Sequence, residues 1–135
     1  MELTKTEYAD YQIIFKNKPH EEILITGDEK LLVTVFKNIL DNACKYSGPE
    51  EPIYIQAESD QDHGKVQILD SGIGIDGDEI GFVFEKYFRS EHTGKRQGTG
   101  LGLFLVKTIV DLHNGDVKLE SERNIGTKLS VCLPR

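Results

Sequence analysis

The sequence predicts an α+β fold: a two-layer α/β sandwich whose mixed, mostly antiparallel sheet carries its helices packed on one face. Three observations predict it. β-rich runs come in neighbouring pairs separated by short polar turns, the pattern of hairpins. Other segments repeat their apolar residues at helical spacing instead. The order of runs (two strands, a helix, a hairpin, helices, a last hairpin) favours helices gathered on one side of a sheet.

Tyr11 to Lys16 and Glu22 to Thr26 read as strands joined by the polar turn Asn17-Lys18-Pro19-His20. Gly27-Asp28 opens a helix with Asp28 as N-cap, and Leu32, Phe36, Ile39, Leu40 and Ala43 form its apolar face. Ser47-Gly48-Pro49 stops it. Ile53 to Ser59 and Lys65 to Asp70 form a hairpin around Asp60-Gln61-Asp62-His63-Gly64. After the Gly-rich turn from Gly72 to Gly77, Ile80, Val83, Phe84 and Phe88 sit at helical spacing. Ser90 to Thr99 is polar, basic and glycine-containing, the profile of a mobile loop. Leu101 to His113 is strongly apolar and predicts a buried helix with Asn114-Gly115 as C-cap. Val117 to Ser121 and Lys128 to Leu133 close the chain as a hairpin around Asn124-Ile125-Gly126. With 135 residues, no internal repeat and no linker, one domain is expected over 1–135.

Composition narrows the function. A net charge of −7 argues against a broad nucleic-acid surface, while local basic clusters can still hold an anion. No apolar run is long enough to cross a bilayer, and Met1-Glu2-Leu3-Thr4-Lys5 lacks the apolar segment of a signal peptide. Cys44 and Cys132 stand far apart without metal or redox spacing, so reduced, buried thiols are expected. A cytoplasmic fragment without membrane contact of its own fits these facts, with the anchoring of a longer parent left open.

Three stretches carry chemistry. Asn38, Asn42 and Lys45 share one stripe of the first helix beside its apolar face. An amide oxygen is a hard ligand for Mg²⁺ and an ammonium suits a polyphosphate, although such a stripe alone is more often a solvated face. Asp70 ends a strand beside Ser71-Gly72-Ile73-Gly74, where a carboxylate accepts from an exocyclic amine and glycines admit a flat base. Gly72, Gly74 and Gly77 also match the dinucleotide spacing G-x-G-x-x-G, but the following helix is short and no strand with an acidic ribose partner follows. Gly98-Thr99-Gly100-Leu101-Gly102 runs into the most apolar helix, so its N–H groups and helix dipole form a phosphate site, with Arg89, Lys95 and Arg96 upstream.

Order and spacing make these pieces specific. Asn38-Ile39-Leu40-Asp41-Asn42-Ala43-Cys44-Lys45-Tyr46-Ser47 resembles the N box of sensor histidine kinases. Asp70 to Ile75 resembles their G1 box, Val83 to Arg89 their F box, Gly98 to Leu103 their G2 box, and Gly126-Thr127 their late Gly-Thr turn. The chain is thus identified as similar to the ATP-binding catalytic domain of that family, in the GHKL superfamily, whose sandwich is called the Bergerat fold. Asn114 departs from a position where the family often has glycine.

The resemblance implies ATP and Mg²⁺ as cofactors. Asn42 would ligate the metal, with Asn38 close to metal and phosphates, Lys45 on phosphate, and Tyr46 near the adenine. Asp70 would take the adenine amine with support from Thr127, while Gly72, Gly74 and Ile75 line the base pocket. Thr99, Gly100, Leu101 and Gly102 would face the phosphates, and Arg89 the γ-phosphate; Lys95, Arg96 and Gln97 belong to a lid that varies across the family.

ATP-hydrolysing relatives resemble one another in placing Glu where this chain has Asn38, and an amide cannot take a proton from water near neutral pH. Transfer to an outside nucleophile is therefore favoured. None of His20, His63, His92 and His113 sits as an acceptor histidine would, so the acceptor is expected on a separate dimerisation and phosphoacceptor domain, with a response regulator downstream. The alternative is a nucleotide-binding switch or ATPase module of the same superfamily without kinase activity.

Overall fold

In the computed structural model, residues 12–16, 22–47, 50–86 and 101–135 are described. The strands are β1 (Ile13–Phe15), β2 (Ile53–Ser59), β3 (His63–Asp70), β4 (Asp116–Glu122) and β5 (Gly126–Pro134). Two α-helices, α1 (Glu29–Tyr46) and α2 (Gly102–Leu112), cover one face. The five-stranded sheet runs in the order β1-β2-β3-β5-β4, with β1 parallel to β2 and the other pairs antiparallel.

Helix α1 starts where the sequence expects. Asp28 Oδ1 accepts from the Leu31 N–H at 3.0 Å, and Glu29 sits in the positively polarised first turn. Removing that cap with Asp28→Ala should cost about 1 kcal/mol of stability, read as a lower urea midpoint with an unchanged slope. The apolar face of α1, Leu32, Phe36, Ile39, Leu40 and Ala43 with Val35 and Cys44 added, is buried throughout. It packs on α2 through Val106, Ile109 and Val110, and on the sheet through Ile53, Ile55, Ile68, Leu129 and Val131. These strand residues alternate with polar ones because successive side chains point to opposite faces.

The first strand pair needs correction. Glu22 to Thr26 forms no strand, and β1 adds to the sheet edge in parallel, with Ile13 opposite Ile53. The alternation of Ile23 and Ile25 is used for packing instead: their methyl groups lie over Gly64 of β3, where a Cβ would stand 2.8 Å from Ile23 and 3.2 Å from Ile25. The helix-like stretch after the Gly-rich turn is only a 3₁₀ turn, Ile80–Phe82, from which Val83 is buried and Phe84 packs on the core. Phe88 lies outside the described residues.

Helix α2 is less buried than its composition predicts, since Leu105 and Leu112 are exposed and only one face meets the core. Its end follows expectation: Asn114 takes a left-handed φ of 57° and the Gly115 N–H returns to the Val110 carbonyl at 2.9 Å. Asparagine tolerates that conformation, so a second glycine is not required there. His113 ties the two helices together. Its Nε2 accepts from the Asp28 N–H at 3.0 Å, which leaves the proton on Nδ1 to donate to the Ile109 carbonyl at 2.8 Å.

No helix among the described residues is long and apolar enough to cross a membrane. Both cysteines are free; Cys44 is buried as expected, whereas Cys132 is half-exposed on the sheet face away from the helices.

Candidate functional site

Register places the chemistry. Asp70 of β3 pairs with Thr127 of β5, and Thr127 pairs with Ser121 of β4. The inward-facing rows of these strands, Ile68–Leu129–Leu119 one step earlier, continue into Asp70–Thr127–Ser121, so the apolar core gives way to a polar corner under the helices.

In that corner Asp70 is held by backbone donors. Its Oδ1 accepts from the Gly72 N–H at 2.9 Å and the Thr127 N–H at 3.2 Å, and Oδ2 takes no hydrogen bond among the described residues. Burial raises its pKa; the two N–H groups oppose that, and the negative charge of Glu51 adds to it. Cys44 of α1 feels the same environment: burial pushes its thiol up to about 11, with further contributions from Asp41 and Asp70. This thiol is packing material, not a nucleophile.

The Gly-rich turn is wedged between the end of α1 and the β4–β5 turn. The Ile73 N–H reaches the Tyr46 carbonyl at 3.4 Å, and the Ile73 carbonyl accepts from the Asn124 N–H at 2.7 Å. Any side chain at Gly72 would collide with the Tyr46 carbonyl, and one at Gly74 with the Glu122 carbonyl. A Cβ on Gly77, by contrast, would meet nothing within 4 Å. The dinucleotide fingerprint needs close packing at its third glycine and a helix after it, so the G-x-G-x-x-G match fails on both counts.

Asn38, Asn42 and Lys45 run along α1 towards Asp70, each half-buried. Asn38 Nδ2 donates to the Thr34 carbonyl at 2.8 Å, which turns Oδ1 towards α2, within 3.2 Å of where a Gly102 Cβ would stand. The first motif and the glycine helix are thus brought together by packing. Lys45 Nζ lies 5.9 Å from the centroid of the Tyr46 ring. Leu101 provides no side-chain cap for α2. Ile75 is half-buried in the turn. Arg89, Thr99 and Gly100, together with Lys95, Arg96, Gln97 and the expected lid, lie outside the described residues. A cleft of about 440 Å³ opens beside the same corner, past Asp70, Thr127, Tyr54, Leu69 and Lys128; the α1 stripe does not line it.

No group of three or more His, Cys, Asp or Glu side chains able to hold a metal occurs among the described residues. The donors that point to Mg²⁺ are neutral amide oxygens, with Asn38 Oδ1 already turned towards the α2 N-terminus. Such a set fits a cation that brings phosphates and waters as its remaining ligands.

Residues 27–135 match the family described as histidine kinase-, DNA gyrase B-, and HSP90-like ATPase. This chain belongs to that family. Among the relatives of this ATPase domain, the sensor protein RprX of Bacteroides fragilis is 40% identical over 116 residues, 82% of this chain and 22% of RprX. The sensor histidine kinase YvrG of Bacillus subtilis is 35% identical over 126 residues, 93% of this chain and 22% of YvrG. A mycobacterial sensor histidine kinase, MprB, superposes with a TM-score of 0.85 at 30% identity, covering 96% of this chain and 87% of that one. The chain therefore spans under a quarter of the length of the two curated relatives named here, whose names are those of sensors.

Motif reading of this histidine kinase-like ATPase domain missed two residues. Glu51 adds to the field at Asp70, and nothing local marks it. Ser121 accepts from the Ile75 N–H at 2.8 Å and contacts Thr127 Oγ1 at 2.8 Å. A signal for it existed: in the alternation Val117, Leu119, Ser121, a hydroxyl takes the place of a core side chain.

Proposed function

We propose that this chain binds Mg-ATP between α1, the Gly-rich turn and the start of α2, and that it supplies the γ-phosphoryl group to a histidine on a separate dimerisation and phosphoacceptor domain. The reading rests chiefly on Asp70. A half-buried carboxylate fixed through Oδ1, with Oδ2 left to a ligand, is an acceptor built for an amine, and it stands beside glycine backbone that a flat base can approach.

Each remaining residue then has a task. Asn42 would hold Mg²⁺, and Asn38 would orient beside it; the metal, when bound, neutralises phosphate charge. Lys45 would add positive charge at the phosphates, and Tyr46 would pack near the adenine. Gly72, Gly74 and Ile75 would shape the base pocket, while Leu101 and Gly102 would offer N–H groups at the positive end of α2. The roles of Arg89, Thr99 and Gly100 are assigned from the motif alone. Asn38 already gives its amide hydrogen to the Thr34 carbonyl and has no basic nitrogen, so nothing at this position activates water. Transfer to a supplied nucleophile needs only positioning and charge neutralisation, the tasks proposed here for Asn42, Lys45 and the start of α2.

Within the described residues, His63 is exposed at the start of β3 and both ring nitrogens of His113 are engaged, which supports an acceptor supplied by a separate domain. The isolated chain should bind Mg-ATP, rise in melting temperature with ligand concentration, and show no phosphohistidine after incubation with labelled ATP. Adding its parent's dimerisation domain should produce acid-labile, base-stable label on that domain. Asn42→Ala should weaken Mg-ATP much more than metal-free ATP. Robust phosphohistidine on the isolated chain would sink the division of labour.

A further inference from the structure

Ser121 belongs to none of the motifs that suggested the site, yet its hydroxyl is where three segments meet. It accepts from the Ile75 N–H at 2.8 Å, donates to the Gly126 carbonyl at 3.0 Å, and lies 2.8 Å from Thr127 Oγ1. A serine hydroxyl has one proton and two lone pairs. Either hydroxyl can donate across the Ser121–Thr127 contact, but the Gly126 carbonyl can only accept, so the arrangement that satisfies all three contacts has Ser121 donating to Gly126 and Thr127 donating to Ser121. Thr127 Oγ1 then has only lone pairs to offer to anything beside it. The Thr127 backbone N–H is also spent, since it goes to Asp70 Oδ1 at 3.2 Å. With Asp70 next in the same cross-strand row, the two side chains present acceptor oxygens side by side.

We infer that Ser121 is a positioning residue that sets base specificity: it fixes Thr127 as an acceptor and anchors the base-pocket turn at Ile75. Two neighbouring acceptors suit a purine with an amino group at position 6 and repel one with an oxygen there. The inference rests on the proposed nucleotide reading. It adds that discrimination between these bases comes from the direction of the Thr127 hydroxyl proton, which Ser121 controls.

The test compares Mg-ATP with Mg-ITP, which carries oxygen at position 6, by calorimetry on the whole chain. The wild type should prefer ATP. Ser121→Ala removes the acceptor that holds the Thr127 proton, so that hydroxyl can turn and donate to a 6-oxo base; the ITP-to-ATP ratio of Kd values should fall about fivefold. Ser121→Thr keeps a hydroxyl and should keep the ratio within about twofold of wild type. Thr127→Val, which leaves Ser121 with Ile75 and Gly126, should also lower the ratio and serves where Ser121→Ala does not fold. Equal weakening of both nucleotides by Ser121→Ala, or an unchanged ratio in folded Thr127→Val, overturns the inference while leaving ATP binding intact. A wild type that binds neither nucleotide overturns the nucleotide reading and this inference with it.

Discussion

Asp70→Asn is expected to lower ATP affinity at least about tenfold while leaving the unliganded chain as stable as before, or more so. The first half follows from losing a charge-assisted hydrogen bond, worth roughly 1.5–3 kcal/mol, and putting an amide donor opposite the adenine amine. The second half follows from the direction of the pKa shift. Burial raises Asp70 above its ordinary value of 3.8 despite the Gly72 and Thr127 N–H groups. A carboxyl raised in the fold favours the native state fully below its unfolded pKa, and that advantage is lost as pH rises through the folded value. At neutral pH the ionised side chain therefore weighs against the fold. Asparagine carries no charge, and its Oδ1 can still accept from both N–H groups. Calorimetry and thermal melts at pH 7 separate the two effects. On acidification the wild type should start losing ATP affinity above pH 3.8 as Asp70 protonates, a component absent from the variant. Unchanged ATP affinity in Asp70→Asn removes the adenine assignment; a large loss of melting temperature assigns the carboxylate to structure instead.

What could be read from the sequence was whatever is settled locally. Asp28 caps α1 because its oxygen reaches an N–H three residues on, and the β2–β3 and β4–β5 hairpins follow from turn residues beside them. Asn114 could be read as a C-cap for the same reason. The pairing of β1 was out of reach, since its partner β2 lies across α1 and parallel pairing leaves no turn signal. Ile23 and Ile25 show a strand's alternation because they pack over Gly64 as strand side chains would, although no strand forms there. The site divides along the same line. Asp70 and the glycines announce themselves by type and spacing. The nearness of Asn38 to Gly102 depends on how α1 packs against α2, and the Ser121 network depends on register between β4 and β5.

The glycines in the turn after Asp70 should respond very differently to the same added methyl group. Gly74 has a φ of +69°, which costs an L-residue roughly 1–2 kcal/mol before any contact is considered. A Cβ there would collide with the Glu122 carbonyl oxygen and stand 2.9 Å from Arg123 Cα, and both belong to backbone that no rotamer change can move. The turn cannot retreat either. On one side the Ile73 carbonyl is held by the Asn124 N–H at 2.7 Å, and on the other the Ile75 N–H is held by Ser121 at 2.8 Å. Gly74→Ala must therefore break one of these ties or displace the β4–β5 turn, and the cost should be on the order of 2–4 kcal/mol. That corresponds to a fall in melting temperature of roughly 10 °C, with ATP affinity lost as well because the pocket wall shifts. Gly77→Ala is the control within the same turn. Its Cβ meets nothing within 4 Å, so reduced freedom in the unfolded chain should leave it neutral or up to about 1 kcal/mol more stable. ATP affinity in that variant should match the wild type. Equal destabilisation by the two substitutions would mean that the close approach of Gly74 to the β4–β5 turn does not define the site. A selective loss at Gly77 would restore the dinucleotide spacing that the open surroundings of Gly77 exclude.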